Sequence, residues 1–573
     1  MNNKIIILIS ILTLSLARLS SQDISSITAK NLIKVNGGFN QNLTMYNASG
    51  TSANRQPLAY SLSANINVSV INTFSFPFSF SYTTNKFSTA QPTFNPTSIS
   101  PSYKWIKVFF GNVSSSYSQY TLSGAQYFGG GFELTPPKWK IAGNYGRFKQ
   151  ATPYNPIDDN SISSIAYTRI GFGGLVGYTG KGWNIESSFF KGKDDPSSLG
   201  YLPSQSNLVP KENLSVSLQS RLQPFKKLSL ELFGATSLIT NNASIQGNST
   251  VSKYYPLGWF MNSNSSSQIY NVYRIAVNFN EKNYGLNAKF EHVDPGYLTL
   301  GGYFFNNDVE KFSIGGNVKL LKGRITLTDN IGFQRNNLNY TKKQTNLQLS
   351  NAFSANIMPL ERVNISLGYS TFSNYTNRSL AFEPFARTID SFSVYSISTS
   401  ANTNISYQLP SKETPQSINL SLNYQKANNE QGLEVSNYNT SNNYVANLGY
   451  SRNMTKQNLS LNSSVNYNLS SSKAGDNKAY GFSLGASKPF FDKKVNCNFS
   501  SSFNLASPST GSGSKVFANK LSASFAPKFK KESLMTKNHS FSFNISLVNQ
   551  IPDDASKSSR SELTSAVTYG WSF

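Results

Sequence analysis

The chain has 573 residues and a formal net charge of +24, from 51 Lys and Arg against 27 Asp and Glu, although only 14% of its residues are charged. Its 13% of aromatic residues exclude a charge-rich disordered protein, because such chains are poor in aromatic residues. The single cysteine excludes an intrachain disulfide and a cysteine-based zinc site. We therefore expect no metal and no other cofactor.

The N-terminus has the layout of a secretory signal peptide. Lys4 is followed by an apolar stretch, residues 5–16, and then by Ser20 and Ser21, which predicts cleavage near this point. About 12 apolar residues are too few to cross a bilayer as a helix. We expect residues 1–21 to be removed on export, which leaves no nucleic-acid partner to explain the positive charge.

The mature chain, residues 22–573, is dominated by an alternation of apolar and small polar residues with a period of two. Residues 62–70 and 74–82 show it most clearly. Because successive side chains of a strand point to opposite faces, each such segment has one apolar and one polar face. Two architectures use strands of this kind: a soluble sandwich, and a closed barrel that presents its apolar face to lipid.

The lengths of the connections favour the barrel. Short connections that often contain lysine, such as residues 179–182 and 321–323, alternate with long ones rich in Asn, Ser and Asp, such as 241–266 and 375–389. Outer-membrane barrels have short periplasmic turns and long extracellular loops, whereas a sandwich does not sort its loops in this way. We therefore predict an all-β fold, a single large closed antiparallel transmembrane β-barrel.

The C-terminal segment supports the same fold. It carries alternating apolar and aromatic residues and ends on an aromatic one. It resembles the last strand of Gram-negative outer-membrane barrels, which implies recognition by the barrel-assembly machinery of Val567, Tyr569, Trp571 and Phe573. With the signal peptide and the strands rich in Asn, Ser and Lys, the whole chain resembles porin-like outer-membrane β-barrel proteins of Bacteroidota. The resemblance implies an integral protein of the cell outer membrane in contact with its lipids and lipopolysaccharide, and it indicates no substrate.

Strand parity predicts a barrel of about 24 strands, because such barrels have an even number. Counting back from the C-terminus to residue 125 gives about 21 strands, and three more are needed for an even total. Residues 30–46, 57–71 and 73–85 supply them. Residues 86–124 then remain outside the wall. The alternative is that residues 86–124 form two further wall strands, which gives about 26.

The segment 86–124 has an unusual composition for an external loop. Three prolines between residues 92 and 101 disfavour a regular strand, and basic and aromatic residues follow them. We predict that the segment folds into the lumen as a constriction or partial plug, where its lysines add positive charge to the pore. The residues expected at this constriction are Lys104, Trp105, Lys107, Tyr117 and Tyr120.

The excess of basic residues is the main clue to function. A Lys or Arg that faces lipid at the bilayer midplane costs about 2–4 kcal/mol, so most of the surplus should lie in the lumen or at the rims. A positive lumen favours anionic solutes. We expect an outer-membrane pore or channel that passes polar and, more specifically, anionic solutes. The alternative is a non-transport barrel that is a component or anchor of an envelope assembly, such as a secretion or surface-protein complex, with envelope proteins as partners.

The two histidines, His292 and His539, do not suggest catalysis. A barrel hydrolase would need one of them beside a serine and an orienting polar group. Ser540 follows His539 directly and therefore points to the opposite face, and His292 continues the apolar face of Ala288 and Phe290. We predict that the protein is not an enzyme and has no catalytic residue.

Overall fold

The computed structural model describes residues 33–572 except 51–54, 71–73, 85–97, 155–164, 204–205, 247–259, 262, 303–306, 343, 379–392, 412, 432–438, 474 and 528–537. The expected signal peptide, residues 1–21, and the terminal Phe573 lie outside the described residues. Within the described residues, no helix has the length and apolar character needed to cross a membrane.

The secondary structure of the described residues consists almost entirely of β-strands. In chain order they are β1 (Ile33–Ser49), β2 (Leu58–Val70), β3 (Phe74–Thr83), β4 (Ser98–Ile99), β5 (Ser102–Tyr103), β6 (Ile106–Ser115), β7 (Leu122–Ser123), β8 (Ala125–Leu134), β9 (Trp139–Lys149), β10 (Thr168–Gly180), β11 (Trp183–Asp195), β12 (Glu212–Phe225), β13 (Leu228–Thr240), β14 (Ser267–Asn280), β15 (Tyr284–Val293), β16 (Gly301–Gly302), β17 (Val309–Leu320), β18 (Ile325–Asn336), β19 (Gln344–Leu360), β20 (Val363–Arg378), β21 (Ser393–Leu409), β22 (Gln416–Gln431), β23 (Asn439–Met454), β24 (Leu459–Ser472), β25 (Gly475–Phe490), β26 (Val495–Pro508), β27 (Ser514–Phe525), β28 (Asn538–Pro552) and β29 (Arg560–Ser572).

These strands form a closed antiparallel barrel with 26 positions in its wall. The barrel closes where β1 pairs with β29, from Gly38 opposite Ser572 to Ser49 opposite Ser561, so that no sheet edge is left free. β4 and β5 share one position between β3 and β6. β7 and β16 stand outside the wall and pair with each other in parallel.

The predicted count of 24 strands is therefore wrong, and the alternative of 26 is confirmed. Residues 98–115 of the segment expected outside the wall form β4, β5 and β6 within it. In β6 the lumen face is not purely polar, because Phe109 points to that side. Its ring packs against the backbone of Gly131, where an added Cβ would lie only 2.5 Å from the ring. A strand with apolar residues on both faces has no clear period-two signature.

The wall strands place their two kinds of side chain on opposite faces. In β22, Ile418, Leu420 and Leu422 occupy the outer face, whereas Asn419 and Ser421 between them face the lumen. With strands about 4.8 Å apart and tilted by about 40°, a wall of 26 strands encloses a space about 50 Å across between backbones. Side chains of the wall alone do not fill a barrel of this width.

Burial in the described residues is concentrated on one side of this space. Apart from Tyr46, every buried large hydrophobic side chain lies between Phe109 and Ala355 in the chain. The largest buried cluster contains Tyr120, Phe233, Ala235, Val272, Val293, Tyr297 and Val309. It combines wall residues of β13–β17 with residues from two connections, which form the candidate functional site.

Candidate functional site

Two connections at the long-loop end of the barrel turn into the lumen, and we call them together the plug. They are residues 116–124, between β6 and β8, and residues 294–302, between β15 and β17. They meet in the two-residue parallel ladder of β7 and β16, where Leu122 lies opposite Gly301. An added Cβ at Gly301 would lie 2.6 Å from the carbonyl oxygen of Thr121. Glycine at this position therefore allows the two plug segments to approach each other.

Hydroxyl groups join the two plug segments where their short ladder ends. The Tyr297 hydroxyl donates to the carbonyl oxygen of Tyr120 at 2.6 Å, and the Thr299 hydroxyl donates to that of Thr121 at 2.7 Å. The Thr121 hydroxyl also lies 2.8 Å from that of Ser188 on β11. All five side chains are buried. These contacts satisfy backbone carbonyl groups that have no strand partner and no access to water.

Asn213 on β12 attaches the second plug segment to the wall. Its Nδ2 donates to Ser237 Oγ at 2.7 Å and to the Leu238 carbonyl at 3.0 Å, and its Oδ1 accepts from the Leu300 backbone N–H at 3.0 Å. Ser237 in turn donates to the carbonyl oxygen of Leu298 at 2.5 Å. One fully buried amide therefore bridges two wall strands and the plug.

Tyr120 connects the first plug segment to a charged region of the wall. Its hydroxyl donates to Glu291 Oε1 at 2.9 Å, and its ring packs against those of Phe233 and Tyr297, each with a centroid distance of 5.6 Å. Burial and the neighbouring Glu291 carboxylate raise the pKa of the Tyr120 hydroxyl. The hydroxyl therefore stays protonated and remains a hydrogen-bond donor to Glu291.

Glu291 belongs to a ladder of alternating charges on the lumen face of β12–β15. Arg274 lies 3.6 Å from Glu291 and 2.9 Å from Glu231. Arg221 contacts Glu231 at 3.3 Å, and Lys289 contacts Glu291 at 3.4 Å. The carboxylate of Glu291 is 5% exposed and Arg274 is 16% exposed, so solvent screens this central pair only weakly. Because the ladder contains charges of both signs, it contributes little to the electrostatic potential of the lumen. Its main effect is to hold the plug, through the hydrogen bond from Tyr120 to Glu291.

Other lumen-facing cations have no ion pair with a described residue. Strand register places them on the same face as the polar wall residues: they are Lys34, Lys107, Lys311, Lys319 and Lys520. Lys311 lies directly opposite Glu291 in the register, and Lys107 lies opposite Glu133. These five cations give the lumen its positive bias in the described part of the chain.

The lumen face therefore has two unlike parts. We call β4–β18, which carry the ladder and contact the plug, the charged half, and β19–β29 with β1–β3 the amide half. The lumen face of the amide half consists mainly of Ser and Asn, and its hydroxyls pair across strands, as in Ser417 with Ser451 and Ser464 with Ser483, each at 2.7 Å. Among its described residues charges are few, with Lys520 the main one far from the strand ends.

The structure separates the residues expected at the constriction. Lys104 and Trp105 form the tight turn between β5 and β6 at the short-turn end, with Lys104 at a φ of 51°. Lys107 follows on β6 and faces the lumen. Tyr117 and Tyr120 lie in the plug, where Tyr120 is almost fully buried. The two tyrosines thus share one segment at the long-loop end, whereas Lys104, Trp105 and Lys107 lie near the short-turn end of β6. The Tyr117 side chain nevertheless lines the same cavity as Lys107.

The outer face of β29 carries three of the four residues expected to be read during assembly, namely Val567, Tyr569 and Trp571, while Phe573 lies outside the described residues. His539 on the adjacent β28 stacks on Trp571 with an interplanar angle of 3°, and its Nδ1 lies 3.0 Å from the Tyr569 hydroxyl. Recognition of these residues by the assembly machinery stays a prediction.

His292 also lies on the outer face of the barrel, near the long-loop end. Its ring stacks on Tyr273 with centroids 4.7 Å apart. Its Nε2 lies 3.1 Å from Asp294 Oδ1, and its Nδ1 lies 3.4 Å from Glu310 Oε2. Among the described residues there is no group of three or more His, Cys, Asp or Glu arranged to hold a metal ion.

The sequence patterns did not indicate residues 294–302 or the charged ladder. One signal was present: the connection after β15 contains Tyr297, Leu298 and Leu300 followed by two glycines, which is too apolar for a solvated loop. The ladder left no signal, because its members lie on four strands and become neighbours only through register. Their spacing along the chain has no fixed pattern.

No protein-family profile and no curated protein matches the sequence. Solved structures with a similar fold include the translocation pore of the P pilus usher PapC, with 9% identity, a TM-score of 0.37 and coverage of 94% of this chain and 99% of that chain. A BenF-like porin from Pseudomonas fluorescens Pf-5 has 8% identity and a TM-score of 0.31, with coverage of 95% and 100%. Pseudomonas aeruginosa OpdK with vanillate has 8% identity and a TM-score of 0.28, also with coverage of 95% and 100%. These similarities are too distant to indicate a function, and none of them supports the Bacteroidota resemblance.

Proposed function

We propose that the protein is an outer-membrane pore that conducts polar solutes through its lumen, past the plug, with a preference for anions. The observation that carries this proposal is the polarity of the two wall faces: the wall closes on itself, its outer face is apolar, and its lumen face is hydroxyl, amide and charge. A polar lumen about 50 Å across holds water. Water in a closed transmembrane barrel is a path for solutes.

The position of the plug leaves room for such a path. The plug contacts the lumen face of the charged half, chiefly β11–β15. On the amide half, Asn402, Asn404 and Asn423 remain exposed on the lumen face. Solutes that can exchange hydrogen bonds with amides and hydroxyls are therefore the expected cargo.

The anion preference rests on the lumen cations without an ion pair in the described residues. Lys107, Lys311, Lys319 and Lys520 project from the wall into the aqueous space. Fixed charge of one sign along a water-filled channel raises the local concentration of counter-ions. Screening limits the effect to about 10 Å at 0.1 M salt, so the preference should be strongest at low ionic strength.

The direct test is the conductance of the purified full-length protein in planar bilayers. We expect an ohmic current and a reversal potential displaced toward that of chloride in a KCl gradient, with a larger displacement at low salt. A silent barrel that co-purifies with other envelope proteins would contradict the pore and support the non-transport component or anchor of an envelope assembly.

The same proposal places the protein in the outer membrane, in contact with its lipids and lipopolysaccharide. The support is the apolar outer face, on which Val567, Phe541 and Phe543 are each more than two-fifths exposed. We also propose recognition of the last strand by the barrel-assembly machinery. Fractionation tests the location: the protein should sediment with outer membranes and should be released by detergent but not by high salt.

A further inference from the structure

A cavity of about 420 Å³ lies beside the plug, between its first segment and the lumen face of β4–β9. The lining residues that matter here are Ser100, Lys107, Phe109, Tyr117, Glu133 and Lys140. Its volume falls in the range of sites that bind small molecules. None of the hydrogen bonds described above that hold the plug involves a residue that lines this cavity, so its lining needs a separate explanation.

The charges of the cavity favour an anion. Lys107 lies directly opposite Glu133 in the register of β6 and β8 and forms no ion pair with a described residue. Lys140 lies 3.9 Å from Glu186, which is outside the cavity, and remains 43% exposed. Because Lys140 shares its charge with Glu186 and Lys107 has no ion pair with a described residue, Lys107 is the main cation available to an anion in this partly enclosed space, where charge interactions are stronger than in open water.

The remaining lining points to a ligand that also carries hydroxyl groups. Phe109 and the ring of Tyr117 supply apolar surface, and serine hydroxyls lie between them. Glu133 would repel a compact, highly charged anion, but it would accept hydrogen bonds from hydroxyl groups. The Tyr117 hydroxyl has no hydrogen bond of good geometry to a described residue, and a hydroxylated ligand in the cavity would supply one.

We propose that this cavity binds a small hydroxylated carboxylate of the sugar-acid class, which would be a solute of the pore. The carboxylate lies between Lys107 and Lys140, the hydroxyl groups meet Glu133 and Ser100, and the ring packs on Phe109. The inference rests on the proposed pore function, since it assigns a solute to that pore.

Calorimetry on the purified full-length protein in detergent tests the site with three sugars of one ring size: glucuronate, glucose and glucosamine. We expect glucuronate to bind at least about tenfold more tightly than glucose, because charge-assisted hydrogen bonds are the stronger ones. Glucosamine should bind most weakly. This comparison requires no substitution and therefore does not depend on the folding of a variant.

Variants then locate the binding. Lys107→Ala should weaken glucuronate binding at least about tenfold, and Lys107→Arg should restore most of it. Lys520→Ala removes the same charge from β27, seven wall positions away from β6, and should leave binding unchanged. Heat-modifiable migration on gels shows whether each variant is folded.

Equal affinity for the three sugars, or an equal loss from Lys520→Ala, would overturn the site and indicate general attraction by a positive lumen. A bilayer current without glucuronate binding would also overturn the site, while the pore would stand. Glucuronate binding without any current would support the site and contradict the pore.

Discussion

The charged half and the amide half of the lumen face are built from strands with the same alternation, but they differ in what covers them. In the charged half, Ser188, Asn213 and Ser237 are almost fully buried beneath the plug. In the amide half, Asn402 and Asn423 are exposed. Buried polar groups require protein partners, whereas exposed ones are satisfied by water. Buried hydroxyl, amide and charge contacts are therefore concentrated where a chain segment packs on the wall.

The two halves also differ in strand length. In the charged half, β6, β8 and β15 have 10 residues each, whereas β19 and β21 in the amide half have 17 each. A connection that turns into the lumen must leave the wall ladder early, as the segments after β6 and β15 do. The three short strands of the charged half therefore end or begin where a plug segment leaves or rejoins the wall.

The largest expected effect of a single substitution is at Asn213. Asn213→Ala removes the hydrogen bonds to the Leu238 carbonyl and the Leu300 N–H, and it should lower the free energy of unfolding by about 2–4 kcal/mol, since each buried group left unsatisfied costs about 1–3 kcal/mol. Urea titration followed by gel mobility measures the loss. Asn423→Ala in the amide half is the control and should change stability by at most about 0.5 kcal/mol. An equal loss of unfolding free energy in Asn213→Ala and Asn423→Ala would contradict the difference in packing between the charged half and the amide half.

Glu291→Gln tests the charged ladder. The substitution keeps an acceptor for Tyr120 but removes the charge that Arg274 and Lys289 share. We expect a loss of about 1–3 kcal/mol, below the full value for a broken buried pair because Arg274 is partly exposed, together with a noisier current in bilayers. Glu562→Gln, at the end of a strand in the amide half, is the matched control. A quiet Glu291→Gln channel of normal stability would show that the ladder does not hold the plug.

Tyr120→Phe removes only the hydroxyl that contacts Glu291. We expect a loss of about 1–2 kcal/mol and more frequent open events in single-channel records. The pKa of Tyr120 is raised by burial and by Glu291, so its contribution to stability is fully present below the ordinary tyrosine pKa of about 10 and is lost as the pH rises through the raised pKa. The alkaline loss of stability should therefore be smaller in Tyr120→Phe than in the parent protein. An identical alkaline profile in both would refute this role.

The smallest expected effect concerns selectivity and not stability. Lys311→Gln combined with Lys319→Gln should lower the anion-to-cation permeability ratio by about twofold at low salt. Lys478→Gln combined with Lys488→Gln removes the same charge from the outer face and should not change the ratio. Reversal potentials in a KCl gradient measure both. A similar shift in the two double variants would mean that the lumen cations do not set the selectivity.

The local pattern of residues was enough to predict the strands and the two faces of each strand. Alternation in segments such as residues 228–232 and 418–424 requires no knowledge of neighbours, because the direction of a side chain follows from its parity in the strand. The sorted lengths of turns and loops then led to the closed barrel. The strand count was correct only in its alternative form, because in β6 the lumen-facing Phe109 packs on Gly131 and hides the alternation.

The plug and its attachment to the wall could be found only from the folded chain. Tyr120 and Glu291 are 171 residues apart, and Asn213 and Leu300 are 87 apart. The odd or even position of a residue in its strand determines which face its side chain occupies. Its contact partner on that face depends on the register of every intervening strand and on which connection turns inward. These contacts come from closing the wall and packing two segments on one side of it, and local periodicity carries no information about either step.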